Sequence, residues 1–154
     1  MSDYPVLQVE GVSETANFAV TGLPAGVRQV TFTSTATPVV KKGIFKLVQL
    51  VVLVLLRTPG RDFLEPEAGG GLKLVVTKPV NPKILPNRRG EIGVAVSNTE
   101  RQVIESQSTE SSLPPEERLS SFVLLSATFD FDAQEWLIIT RIISEAGGAA
   151  DVLL

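Results

Sequence analysis

Two apolar runs of β-prone residues, Leu119–Phe131 (LSSFVLLSATFDF) and Trp136–Ser144 (WLIITRIIS), are separated by only four residues, Asp132-Ala133-Gln134-Glu135. Runs of this composition joined by a short polar loop read as an antiparallel β-hairpin. Two-residue alternation puts Val123, Leu125, Ala127, Phe129 and Phe131 on one face of the first strand. In the second, Trp136, Ile138, Thr140 and Ile142 share a face, and Leu137, Ile139, Arg141 and Ile143 share the other. Both faces are largely apolar. One can rest on helices; the other is too apolar for a free surface, so another layer or another subunit should cover it. Gly147-Gly148 makes a turn, and Asp151–Leu154 can add a final edge strand.

The helical signals come earlier. In Ile44–Leu56 (IFKLVQLVVLVLL), Ile44, Leu47, Val48, Val51, Val52 and Leu55 fall on one helical face, while Leu50, Leu53, Val54 and Leu56 spread onto the others. The valines would suit a buried strand equally; length decides for a helix covered on most sides. Arg57 suits its C-terminus, and Thr58-Pro59-Gly60 stops it. Thirteen residues including Lys46 and Gln49 are too few for a bilayer span, which needs about twenty. A second helix begins near Asn87 or Arg88 on a stripe of Ile92, Val96, Thr99, Val103 and Gln107 with Ala95 beside it, leaving Glu100, Arg101 and Glu105 in water. Ser106–Ser112 reads as a polar loop.

Between the helices, Gly69-Gly70-Gly71 predicts a tight, mobile turn, Leu72–Thr77 (LKLVVT) a short strand, and Pro79, Pro82 and Pro86 forbid a long element. Residues 1–42 are poor in charge and rich in Val, Thr, Ala and Gly. Leu23-Pro24-Ala25-Gly26 reads as a turn, and Val27–Val40 has high β propensity. The segment is either a local hairpin edge or an arm that supplies a strand to a neighbour. The expected class is α+β: two main helices packed on a small, mostly antiparallel sheet with a C-terminal β-hairpin. Its division is a β-rich extension over 1–42 and a domain over 43–154.

Composition excludes much chemistry. The 154 residues include no Cys and no His. Disulfides, thiolate nucleophiles, Ser-His-Asp triads and His-bearing zinc sites therefore cannot be built. A net charge of −3 gives no basic excess for nucleic acid. The N-terminus has neither the basic nor the apolar region of a signal peptide. Glu65 and Glu67, Glu116-Glu117, and Asp130 with Asp132 are acidic pairs of the kind a glycosidase uses, but without a sugar cleft of aromatic residues they read as solvated turns. Gly69–Lys73 lacks the Gly-Lys-Ser/Thr ending of a phosphate loop. Lys41-Lys42 and Arg88-Arg89 are small basic pairs, solvated or set against acidic partners. Arg118, at the entrance to the best strand, offers a planar fork that can clamp a partner's helix, pin its own preceding helix, or pair with an acidic residue of its own chain.

The order of these signals resembles a known family. An apolar helix runs into Leu56-Arg57-Thr58-Pro59-Gly60-Arg61, and Phe63-Leu64-Glu65-Pro66-Glu67-Ala68-Gly69-Gly70-Gly71-Leu72 follows. Then come a polar helix, Glu116-Glu117-Arg118-Leu119, an apolar hairpin and Ala146-Gly147. Over residues 43–148 this is similar to the small wedge protein of contractile-tail phage baseplates, some of whose members carry a lysozyme-like label, and to a related baseplate component of type VI secretion systems. The chain departs from that pattern. Pro-Gly-Arg-Asp stands where Pro-Gly-Glu-Arg is usual, Ala68 replaces an aromatic, and no proline separates Glu117 from Arg118.

The resemblance implies a structural subunit rather than an enzyme, with no cofactor or metal, placed in the virion tail after assembly in the host cytoplasm. It would bind the helices of the wedge core protein through Glu116, Glu117 and Arg118. Through strand sharing it would offer sheath-like strands to the first ring of tail sheath subunits, carried by Phe122, Leu124, Trp136, Ile138 and Ile142. A multi-copy ring, hub or tube proteins as further neighbours, and no nucleic acid or membrane complete the expectation. Alternatives are another virion tail protein, such as a tail-completion or connector subunit, and a carboxylate-dependent hydrolase.

Overall fold

The computed structural model describes residues 42–154 and, before them, the backbone of Val6–Val9 and Val27–Thr33. In chain order the elements are β1 (Val6–Val9), β2 (Val27–Thr33), α1 (Ile44–Leu56), α2 (Leu72–Val76), α3 (Leu85–Ser108), a 3-10 turn (Pro115–Glu117), β3 (Leu119–Asp130), β4 (Glu135–Ser144) and β5 (Ala149–Leu153). The strands form one sheet in the order β1-β2-β5-β4-β3. All neighbours are antiparallel except β2 and β5, which run parallel from Val27 opposite Asp151. The class is α+β, with helices on one face of a mostly antiparallel sheet and a C-terminal hairpin. The C-terminal strand is present, but it lies inside the sheet rather than at its edge. The expected turn at Leu23–Gly26 and the stretch 34–40 lie outside the described residues.

α1 has the predicted bounds. Leu47, Val48, Val51, Val52 and Leu55 are buried against the sheet and α3, each side chain contributing about 1.5–3 kcal/mol. The helix keeps one open stripe: Lys46, Leu50, Leu53 and Arg57 are exposed, at the i, i+4, i+7, i+11 spacing of a single helical face. Among the described residues no helix is long and apolar enough to cross a membrane.

α3 buries Ile92, Ala95, Val96, Thr99, Val103 and Gln107, the stripe read from sequence. It starts earlier than expected, because Pro86 stands in its first turn, where the missing N–H costs nothing. Asn81 leads in, its Oδ1 accepting from Lys83 N and Ile84 N at 3.0 and 3.1 Å. It ends later than expected, at Ser108, so the polar loop is shorter than Ser106–Ser112.

Leu72–Val76 is helical rather than extended. Leu72 and Val75 are buried while Leu74 is 49% exposed, so the anchors fall three residues apart, as a helix needs, instead of two. Packing against α1 and α3 overrides the β preference of Val75 and Val76.

The expected inward face of β3 is also corrected. Its register against β4 slips twice, between Leu119 and Ser121 and between Leu124 and Ser126. Each bulge adds one residue and reverses the alternation. Leu119, Phe122, Leu124, Ala127 and Phe129 therefore share the side of Ile138 and Ile142, and Val123 and Leu125 turn outward at 43% and 45% exposure. The first bulge exchanges Ser121 for Phe122 in the core; the second restores the phase so that Ala127 and Phe129 face inward. At the hairpin tip Asp130 Oδ1 accepts from the backbone N–H of Asp132 and Ala133 at 2.9 and 3.0 Å. Phe129 stacks edge-to-face on Trp136 at 5.2 Å.

Candidate docking surfaces

The Glu116-Glu117-Arg118 corner forms where the 3-10 turn delivers the chain into β3. Glu117 turns inward and is 9% exposed. Its carboxylate accepts from Lys46 Nζ at 2.5 Å and from Gly43 N at 3.2 Å, so it closes the N-terminal end of α1. The Lys46 bond is the main reason its pKa lies below the ordinary glutamate range; the Gly43 N–H and the charges of Lys46 and Lys42 act in the same direction, against desolvation. Arg118 folds back on its own chain. Its Nε donates to Leu113 O at 3.1 Å and its Nη2 to Glu110 O at 3.0 Å, while Nη1 stands 4.0 Å from Glu145 Oε2. Of the roles open to this guanidinium, the structure displays both internal ones: it pins the preceding segment and pairs with Glu145 of its own chain. Glu116 is exposed. The corner is thus braced, with Glu116 and part of Arg118 open to a neighbour and Glu117 spoken for.

The strand residues expected to meet a sheath subunit are placed differently. Phe122, Ile138 and Ile142 are 3%, 1% and 0% exposed in the core, and Leu124 and Trp136 pack against it. A neighbour lying on these strands would meet the opposite face, built of Val123, Leu125, Leu137, Ile139 and Ile143. At its centre Arg141 Nε and Nη2 donate to Asp151 Oδ1 and Oδ2 at 2.7 and 2.8 Å, a two-pronged pair across β4 and β5. That bond holds the Asp151 carboxyl below its ordinary value and raises Arg141 above its own.

Sequence reading missed what happens at the outer edge of β3. An edge strand presents unpaired N–H and C=O groups to any strand that can reach them. Here α3 runs alongside and supplies partners at three points. Gln107 Oε1 accepts from Leu119 N at 2.8 Å, Glu100 Oε1 accepts from Phe122 N at 3.1 Å, and Arg89 Nε donates to Ala127 O at 2.8 Å. The spacing fits: Arg89 to Gln107 spans about 27 Å of helix, and Leu119 to Ala127 about 26 Å of strand. Glu100, expected to face water, is thus half-buried on this edge. Gln107 also donates to Glu117 O at 2.9 Å, tying the edge to the corner. Long polar residues at positions 89, 100 and 107 were legible in sequence, but their common neighbour was not.

The other acidic residues singled out in the sequence, among those described, are tied into turns or left in solvent. Glu65 lies 3.5 Å from Arg57, Asp130 closes the hairpin turn, and Glu67 is exposed. Among the described residues the carboxylates with displaced pKa values, Asp62, Glu91, Glu117 and Asp151, are all shifted downward, opposite to a general acid poised near neutral pH. Arg88 pairs with Glu91 at 2.6 Å. Among the described residues no group of three or more Asp and Glu could hold a metal ion.

The Gly69-Gly70-Gly71 turn is packed tightly. Gly70 N donates to Val54 O at 2.8 Å and Gly71 N to Arg57 O at 3.1 Å, satisfying carbonyls at the end of α1. A methyl on Gly70 would collide with Thr99 Oγ1 and come within 2.9 Å of Leu55 Cα. Gln102 Oε1 accepts from Gly69 N at 2.8 Å, and its Nε2 returns a bond to Gly69 O at 3.2 Å. The expected mobility therefore gives way to a glycine wedge between α1 and α3.

Compared with known proteins, the chain matches no protein-family model, no curated protein and no solved structure.

Proposed function

We propose that this chain is an assembly subunit of a contractile-tail phage baseplate, joining the wedge core to the first ring of the tail sheath. The observation that carries the reading is the outer sheet face. Val123, Leu125, Leu137, Ile139 and Ile143 form an apolar surface that no described helix covers, and a sheet with two apolar faces needs a second layer. The order of motifs along 43–148 supports it. The corner at Glu116-Glu117-Arg118 docks the wedge core helices, chiefly through Glu116 and the open side of Arg118. The outer face of the hairpin packs on a sheath subunit. Because α3 occupies the free edge of β3, strand exchange falls to the other side of the sheet, where β1 is last in the strand order.

The test uses the purified chain with its cognate wedge core and sheath proteins. Sheath binding is expected to protect β4 and β5 amides from hydrogen exchange. Arg118→Ala is expected to weaken wedge binding by roughly tenfold, as loss of a charged contact does. Wild-type wedge assembly by the Arg118→Ala variant removes the docking role of the corner, and the absence of binding to either protein removes the baseplate reading.

A further inference from the structure

The most exposed large apolar side chains among the described residues are neighbours. Phe63 is 96% and Leu64 86% exposed, at the tip of the loop that leaves α1. Neither contributes to the core, yet the loop beneath them is braced. The Arg57 guanidinium pairs with Asp62 and reaches Glu65 Oε2 at 3.5 Å. Asp62 Oδ1 accepts from Leu64 N at 3.0 Å, Gly60 N donates to Pro66 O at 2.7 Å across the loop, and Ala68 N donates to Glu65 O at 3.0 Å. The glycine wedge and Gln102 fix its root on α3. A loop held this firmly, with two bare apolar side chains at its tip, presents an anchor whose ordering cost is already met.

The tip is continuous with a second feature. The open stripe of α1 runs from Lys46, which holds Glu117, through Leu50 at 37% and Leu53 at 48% exposure to Arg57, which holds the loop. Over the thirteen residues of α1 this track is about 20 Å long. A helix laid on it would meet apolar residues at regular helical spacing and then the Phe63-Leu64 tip. The charge at that end is set by three carboxylates, Asp62, Glu65 and Glu67, against two guanidiniums, Arg57 and Arg61, beside the negative end of α1. With one carboxylate in excess, this rim offers no net attraction to an anionic bilayer, whereas a protein socket with basic residues around it complements it.

We infer that the Phe63-Leu64 tip and the Leu50-Leu53 stripe form one docking track for an amphipathic helix of the wedge core protein, whose apolar socket, rimmed by Lys or Arg, receives the tip. The inference rests on the baseplate reading and deepens it. The Glu116-Glu117-Arg118 corner and the tip lie at opposite ends of α1, so a single long helix can engage both.

The test measures binding of the purified wedge core protein to the wild-type chain, to a Phe63→Ser/Leu64→Ser variant, to a Leu50→Ser/Leu53→Ser variant and to Arg118→Ala. A parallel arm uses vesicles of neutral and of anionic phospholipid. Because the substituted apolar residues are exposed, folding is expected to persist, and circular dichroism melts check it. The expected result is a loss of roughly 30-fold in affinity for the tip variant, a smaller loss for the stripe variant, and no vesicle binding. Binding of the tip variant at wild-type strength overturns the track even if Arg118→Ala weakens assembly. Loss in the tip variant with none in Arg118→Ala supports the track and removes the corner. Vesicle binding that depends on Phe63 and Leu64, with wedge binding unchanged, replaces the track with a lipid contact. A wild-type chain that does not bind the wedge core protein overturns both readings.

Discussion

The two ends of α1 are built from similar materials and put to opposite uses. At the N-terminal end Glu117 reaches inward, takes bonds from Lys46 and Gly43, and sits under a corner that also ties down β3 through Gln107. At the C-terminal end Arg57, Asp62 and a set of backbone bonds brace a loop just as closely, but its apolar residues point away from the core. Where bracing and burial coincide, the residues account for their own presence through stability. Where bracing holds apolar side chains in water, stability gives no account of them, and an interaction does. The same contrast separates the two faces of the sheet, one filled by α1 and α3 and the other apolar and covered by no described helix.

The contrast can be broken by substitution. The largest effect is expected from Gly70→Ala at the glycine wedge, where the added methyl has no space between Leu55 and Thr99; equilibrium urea unfolding should show a loss of about 3 kcal/mol. Next is Gln107→Leu, which leaves Leu119 N and Glu117 O without their partner beneath the corner. A loss of about 2 kcal/mol is expected, together with faster hydrogen exchange at Leu119.

Glu117→Gln sharpens the comparison through pH. The folded-state pKa of Glu117 lies below its unfolded value, so its contribution is fully present above the ordinary glutamate range and is lost as pH falls through the folded pKa. The variant should melt below the wild type at neutral pH, and the two curves should converge in acid. Asp151 follows the same sign and should erode both proteins together. The smallest effect on stability, within about 0.5 kcal/mol, is expected for Phe63→Ser/Leu64→Ser. A large destabilisation there would make the tip part of the core and end the contrast.

Both long helical patterns and the hairpin were readable from the amino-acid order, because each is a local periodicity. The buried positions of α1 and the stripe from Ile92 to Gln107 follow from 3.6-residue spacing, and the two faces of β4 from alternation. The same order marked Glu116-Glu117-Arg118 as a place where charge meets a strand, without saying which way each side chain turns.

Tertiary packing decided what local pattern leaves degenerate. It made Leu72–Val76 a helix, since Leu72 and Val75 had to reach the same core. It placed two bulges in β3, exchanging a serine for a phenylalanine in the interior, and it brought Arg89, Glu100 and Gln107 onto one strand edge. It also left Phe63 and Leu64 in solvent. Hydrophobic spacing along a chain specifies which residues can share a face; which face is covered, which edge is paired and which apolar side chain is left outside depend on contacts between segments far apart in sequence, where burial and backbone hydrogen bonding must be satisfied at once.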